Sequence, residues 1–410
     1  MDQSKAPVFV ASNQVKGVGE AVDFYNPYSW YETMRKESPV YYNEEIQAWY
    51  VFLYDDVKRV MGDQEHFSTN FPEPSGIELK NNLLKMDPPK HTDLRSVISR
   101  AFTPKMMRDW EPRIREITLD LLDQVKGREQ IDFVQDLAKH LPVIVISELV
   151  GVPSEHVPKF RAWSEIMISA PKSNSKEDLE EFLATMMKVK NEWEVFFEEL
   201  IEQKRRNLGQ DLISVLIQAE GEGIKVTSED LVPLCIILLI AGNETSTSLM
   251  SNTLYSILEN ENVYKELKND LTLLPQIIEE TLRFRSPAQS ARRIVTKDTE
   301  IGGHHLQKGD AVIAWIGSAN RDESIFAEAS KYDIHRIPNP HIAFGQGIHF
   351  CLGGPLARIE ANIAITELFK NYSSIELSQE YPIEPIEIIF FNGLKSLPVN
   401  VKAMNDLRGN

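Results

Sequence analysis

The chain has 410 residues, 44 Lys and Arg against 61 Asp and Glu, a formal net charge of −17 and a hydrophobic share of 42%. That acidity argues against nucleic acid and anionic lipid as general partners, and the apolar share excludes a disordered chain. Two cysteines far apart, Cys235 and Cys351, exclude a disulfide framework and fit a reducing, cytoplasmic setting.

In chain order, Met1 to Lys16 holds Asp2, Lys5, Pro7 and Asn13 and no apolar core, so it does not read as a signal peptide. Short strands are predicted at Val40–Tyr42 and Ala48–Tyr54, then a loop at Phe71–Lys80. Asp87-Pro88-Pro89 opens a helix that places His91 and Arg95 on one face, which by spacing alone reads as a solvated basic face. From Lys90 to Arg115, seven Lys and Arg stand against three Asp and Glu, a local basic stretch able to steer an acidic partner. Three- and four-residue apolar spacing predicts helices over Ile114–Val125, Phe182–Ile201, Leu212–Ala219, Leu231–Leu258, Pro275–Phe284 and Leu356–Phe369, with a further loop at Pro171–Lys176.

Thr227-Ser228-Glu229-Asp230 caps the longest of these helices. Its apolar run Leu231–Gly242 is interrupted by Pro233 and falls short of the about 20 residues a membrane span needs, so a buried helix is expected. Leu234, Leu238, Ala241, Thr245 and Leu249 share a face there, and Gly242 would permit local loosening. Glu280 and Arg283, three apart in the Pro275–Phe284 helix, read by spacing alone as an exposed pair, with Glu279 a competing partner. Strands follow at Arg292–Thr296, Ala311–Trp315 and Ile386–Phe391. No repeat or Gly/Ser linker divides the chain, so one domain over residues 1–410 is expected, mainly α with small β-sheets.

The most informative segment is Phe344-Gly-Gln-Gly-Ile-His-Phe-Cys351-Leu-Gly353-Gly-Pro355-Leu-Ala-Arg358. Glycines around Cys351 permit a tight turn and close approach of a flat ligand, and Pro355 starts a helix whose positive end faces the sulfur. Both features favour a thiolate. A lone cysteine would read as buried and inert. The whole pattern resembles the cysteine loop of the cytochrome P-450 superfamily, its soluble bacterial members above all, and further matches run from about Val40 to Val401.

The resemblance implies the cytochrome P-450 fold and haem b (iron protoporphyrin IX) between the Leu231–Leu258 helix and the loop, with Cys351 as the metal ligand. It places Ala241, Phe344 and Gly353 at the cofactor, and His91, Arg95, Arg293 and His349 on its two propionates. Glu244 and Thr245 match the acid–alcohol pair, Thr245 hydrogen-bonding the reacting oxygen and Glu244 relaying protons. Glu280 and Arg283 become a buried pair joined by Arg336, although Ala329-Ser330 stands where Asp-Pro is expected and Tyr332 where Phe is. The pocket would draw on Leu238, Ala241, Ala288 and Phe391, with Phe71–Leu84, Trp163–Pro171 and the turn Phe390–Leu394.

The implied reaction is hydroxylation or epoxidation of a hydrophobic small molecule such as a steroid, terpenoid or fatty acid. No flavin or iron–sulfur motif is present, so electrons would come from a ferredoxin or flavodoxin and its reductase, with the basic stretch facing the donor. A cytoplasmic monomer is expected, with no membrane span and no nucleic acid. A peroxide-driven peroxygenase and a non-enzymatic haem sensor are the alternatives. Family members of the first kind lack the acid–alcohol pair, and a sensor needs no proton relay.

Overall fold

The computed structural model describes residues 25–71, 81–168, 175–221 and 226–404. The reading of Met1–Lys16 lies outside them, as do most of the loops at Phe71–Lys80 and Pro171–Lys176 and the end of the Trp163–Pro171 pocket segment. The fold is 57% helical with small sheets, as the periodicity predicts.

The helix over Ser228–Glu259 is the axis of the molecule. Its start is fixed by the Asp230 carboxylate, which accepts from the backbone N–H and the hydroxyl of Thr227 at 2.8 Å each and pairs with Lys90 Nζ at 2.5 Å. It passes the length and composition test for a membrane span, yet most of its surface is buried within the fold. The helices Leu141–Val150, Lys176–Arg206, Leu274–Phe284 and Gly354–Asn371 pack around it. Leu141–Val150 has eight of its ten residues buried, and a helix apolar on all sides offers no amphipathic period for sequence reasoning to detect. It stops at Gly151, where φ is 103° and a glycine C-cap is favoured.

A five-stranded sheet joins distant parts of the chain, in the order Val40–Asn43, Ala48–Val51, Ala311–Ala314, Ala291–Val295, Phe67–Ser68. Ala48–Val51 runs parallel to Ala311–Ala314, with Ala48 opposite Ala311; the other pairings are antiparallel. On one side of it Trp30, Tyr31, Tyr50, Phe52 and Trp315 form an aromatic cluster, Trp30 edge-on to Trp315 with ring centres 5.1 Å apart. Such pairs add about 0.5–1.5 kcal/mol each beyond the area they bury.

Two predicted strands need correction. Ala48–Tyr54 ends at Val51, because Tyr54 starts a helix to Gly62, with Asp55 and Asp56 in its first turn and the Asp322 carboxylate accepting from Tyr54 N–H at 2.9 Å. Ile386–Phe391 is not a strand. It is the loop between the short strands Glu384–Pro385 and Leu394–Ser396, and Ile386 and Ile389 are buried by docking that loop on residues 287–289. Gln289 N–H donates to Phe390 O and Asn392 N–H to Pro287 O.

Candidate functional site

The cysteine loop behaves as its glycines require. Gly345 and Gly347 have φ of 78° and 70°, and a Cβ on Gly347 would come within 3.1 Å of Gly62 Cα. Cys351 N–H donates to Phe344 O at 2.8 Å, folding the loop back on itself before the Gly354–Asn371 helix begins. Gly353 has an ordinary φ of −79°, and a Cβ there would meet no protein atom within 4 Å, because this residue sits on a cavity wall.

That cavity, about 490 Å³, lies between the cysteine loop, the Ser228–Glu259 helix and the strand Ala291–Val295. Cys351, Phe344, His349 and Gly353 line it on one side, and Leu238, Ala241, Thr245 and Leu249 on the helix side. Leu234 shares their helical face but is fully buried in the core. The helix runs unbroken through Gly242, so the expected loosening is not found; the Thr245 hydroxyl donates to Ala241 O at 2.9 Å, one turn back.

The Cys351 thiol is not acidic by itself. Burial pushes it up, and the N–H groups of Gly353 and Gly354 and the Arg95 and Arg358 guanidiniums only oppose that shift. This corrects the sequence expectation: helix dipole and loop N–H groups soften the cost of an anion here without cancelling it. A metal cation bound to sulfur removes the proton outright.

Two arginines and two histidines gather at the cavity, with Arg95, Arg293 and His349 on its wall and His91 packed against His349. His91, at 1% exposure, has no hydrogen-bond partner on either ring nitrogen, and its ring lies 4.4 Å from that of His349. Burial, then the neighbouring His91, Arg293 and Arg95, hold His349 down to about 3. Burial also lowers Arg293, to about 10, against the pull of Asp87. Arg95 donates to Phe350 O, and Arg293 Nη1 to Arg292 O at 2.8 Å, so neither spends its guanidinium on a carboxylate. A buried imidazole without a hydrogen-bond partner, a second imidazole beside it and two arginines that spend nothing on a carboxylate fit a ligand with carboxylates, and the glycine wall beside the sulfur fits a flat ring: the residues present suit a haem.

Other expected site residues fall differently. Ala288 lines the cavity, whereas Phe391 does not; the loop around it turns Phe391 into a backbone bridge with Ala288, behind the wall. Glu244 is half-buried and off the cavity wall. Glu280 and Arg283 form a bidentate pair at 2.7 and 2.8 Å with exposures of 1% and 0%, so the exposed-pair reading is overturned, and Arg336 Nε lies 3.4 Å from Glu280. Glu279 instead takes Arg358 at 2.5 Å and His341 at 3.0 Å; burial alone would raise it, but these donors bring it to about 2. The departures from the family pattern are absorbed locally: Ala329 O accepts from Arg283, and Tyr332 OH bonds Thr281 Oγ1 at 2.8 Å.

The basic stretch is largely neutralised. Lys90 pairs with Asp230, Lys105 with Asp109, Arg113 with Glu116 and Glu148, and Arg115 with Glu367, while Arg95 faces the cavity. Among the described residues, Arg100 and Arg108 are what remains of it as exposed cations without an ion pair. Net charge along a segment is a poor guide to surface charge when partners arrive from elsewhere in the fold.

Sequence reasoning missed Glu360. It is 1% exposed, lines the cavity, accepts a hydrogen bond from Ser246 and has no partner on Oε2. The signal was available: Gly353, Leu356, Ala357 and Glu360 follow helical spacing on the face that carries the loop. Burial pushes Glu360 up from the usual 4.5 to about 8, the Ser246 bond working against it. Folded Glu360 thus keeps a proton that an unfolded carboxyl has lost, and stability falls as pH rises from about 4.5 to about 8, by up to about 1.4 kcal/mol per pH unit. Glu360→Gln should flatten that slope in urea-unfolding midpoints taken across this window; an unchanged slope would show the carboxyl to be ionised.

Comparison with known proteins agrees with this geometry. The family model for cytochrome P-450 matches residues 18–397. The chain is 52% identical over 379 residues to the putative cytochrome P-450 YjiB of Bacillus subtilis, covering 92% of this chain and 95% of that protein. Its structure superimposes on the crystal structure of CYP109B1 from Bacillus subtilis with a TM-score of 0.85 at 52% identity, covering 92% of this chain and all (100%) of the other. CYP109E1 from Bacillus megaterium, crystallised with testosterone, gives 0.87 at 45% identity, covering 92% and 98%.

Fold and site together define a haem-thiolate oxidoreductase. The chain belongs to the cytochrome P-450 family, whose members are monooxygenases acting on small molecules with electrons from redox partners.

Proposed function

We propose that residues 1–410 form one catalytic unit in which Cys351 Sγ ligates the iron of haem b and a hydrophobic small molecule is hydroxylated or epoxidised beside it. The observation that carries this is that Cys351 and Thr245 line one cavity with Arg95, Arg293 and His349, His91 packing against His349. When bound, haem supplies oxygen activation and transfer of one oxygen atom to a C–H or C=C bond, the other leaving as water.

The protein's own contributions are positional. His91, Arg95, Arg293 and His349 would hold the two propionates, and the Gly353 and Gly354 N–H groups would steady the thiolate. Ala241 leaves space one turn before Thr245, while Leu238, Leu249, Leu282 and Ile316 keep the cavity apolar and exclude water. Thr245 Oγ1 can leave its bond to Ala241 O and donate toward the cavity. Glu360 Oε2 keeps a proton at neutral pH on the same wall, with the Ser246 hydroxyl against it; Glu244, off the wall, would reach the site through water.

Relatives illustrate the substrate range: CYP109E1 has been crystallised with testosterone and with corticosterone, and P450BioI with hexadec-9Z-enoic acid ligated to acyl carrier protein. For this chain a steroid, terpenoid or fatty acid fits the apolar wall. Electrons would come from a ferredoxin or flavodoxin and its reductase, the enzyme working as a cytoplasmic monomer. The hydroxyl of Thr245 on the wall favours use of O2 over peroxide and over a sensor role.

The test is oxygen consumption that depends on both donor and substrate, with oxygenated product. Thr245→Ala should go on consuming electrons while yielding at least about tenfold less product per electron pair. Full coupling in that variant would remove Thr245 from proton delivery.

A further inference from the structure

One cation on the cavity wall is not used by the cluster that suits the propionates. Side chains alternate along a strand, so in Ala291–Val295 Arg293 turns toward His349 while Arg292 turns the other way. There its guanidinium lies 4.4 Å from the centre of the Phe71 ring. Lys85 Nζ lies 4.6 Å from the same centre. All three residues line the cavity. Among the described residues, nothing accepts a hydrogen bond from the Arg292 guanidinium and no carboxylate pairs with it. The Ser290 hydroxyl, two positions before it, lines the cavity and likewise has no partner there.

Two cations held beside one ring and partly out of water repel each other. Burial, helped by the Arg292 charge, brings Lys85 down to about 8, and burial lowers Arg292 as well. A carboxylate paired with the Arg292 guanidinium would relieve that cost. Elsewhere on the wall Ile237, Leu238, Leu249, Leu282 and Ile316 offer apolar contact. A planar guanidinium pinned on an aromatic face presents its fork to a carboxylate in bidentate fashion.

We infer that Arg292, with Ser290, forms a carboxylate subsite on the Phe71 side of the cavity, and that the substrate is an amphipathic monocarboxylate whose apolar body extends toward the Cys351 side. This rests on the monooxygenase reading and adds a substrate class to it. Anchoring one end makes the oxygenated position a fixed count of carbons from the carboxylate.

The experiment uses holoenzyme and two matched pairs of ligands: tetradecanoic acid and its methyl ester, and a rigid tetracyclic carboxylic acid and its methyl ester. Affinity is read from the ferric haem spectrum and, independently of haem, by equilibrium dialysis of labelled ligand. In at least one pair the acid should bind the wild type about 10- to 100-fold more tightly than the ester, the span of one charged hydrogen-bonding contact. Arg292→Gln should remove that preference while changing ester affinity less than about twofold, and Arg292→Lys should restore part of it. Equal affinity of acid and ester in both pairs, or parallel weakening of both in Arg292→Gln, overturns the subsite. So does loss of haem from Arg292→Gln, which would assign Arg292 to the cofactor's carboxylates. Failure of the monooxygenase reading looks different: the wild type would lack the thiolate signature with carbon monoxide, whatever dialysis shows for the acids.

Discussion

Cys351→Ala should give a folded protein without the red-displaced Soret band that reduced haem-thiolate shows with carbon monoxide, and product formation should fall by at least about 100-fold. Mutating residues that only support a ligand already costs about 10- to 100-fold, so removing the ligand itself must cost more. No other thiol can take over: Cys235 is fully buried in the Ser228–Glu259 helix, and burial pushes its thiol far up, which marks it as inert packing. Cys235→Ala should therefore leave the band in place. The fold should survive at position 351, since the loop is held by Cys351 N–H on Phe344 O and by the left-handed turns at Gly345 and Gly347, none of which needs the sulfur. Persistence of the red-displaced band in Cys351→Ala would end the haem-thiolate assignment of this residue.

Arg283→Ala should cost about 3–5 kcal/mol of folding stability, a large part of the about 5–15 kcal/mol available to a typical protein. The guanidinium does two jobs. It neutralises Glu280, which has no route to water, and it donates to the carbonyls of Asn320, Ala329 and Lys331. Without it an anion stays buried, with Arg336 Nε at 3.4 Å and Asn339 Nδ2 at 3.3 Å as its remaining side-chain partners. The damage would reach the site, because Asn320 also fixes the approach to the cysteine loop by accepting from Ile342 N–H at 2.8 Å. Poor soluble yield and a lowered urea midpoint are the expected readouts, with haem lost more readily from what folds. Arg336→Ala should be milder, since its best hydrogen bond, 2.7 Å, goes to Ala327 O. A cost below about 1 kcal/mol for Arg283→Ala would mean that the pair is solvated in solution.

Local signals and distant ones differ in how far sequence reaches. The segment Phe344–Arg358 could be read directly because turn, sulfur and helix start are contiguous, and backbone conformation there depends on residues a few positions apart. The same holds for the cap at Thr227 and for the spacing of Ala241 and Thr245 on one helix face. Periodicity located the long helices but failed in two places. Leu141–Val150 is apolar all round and shows no period, and Ile386–Phe391 imitates a strand while its isoleucines are buried by a docked loop.

The sequence by itself determined the class of chemistry, through one loop and one helix, and the mainly helical architecture. Tertiary structure decided everything that depends on partners brought from far away. It buried Glu280 with Arg283 and Arg336, drew Glu279 to Arg358, cancelled most of the basic stretch, and put Glu360 on the cavity wall in place of Glu244. The reason is electrostatic. A charged side chain's protonation and role follow from burial and from whichever opposite charge arrives within a few ångströms, and neither quantity is written in its neighbours along the chain.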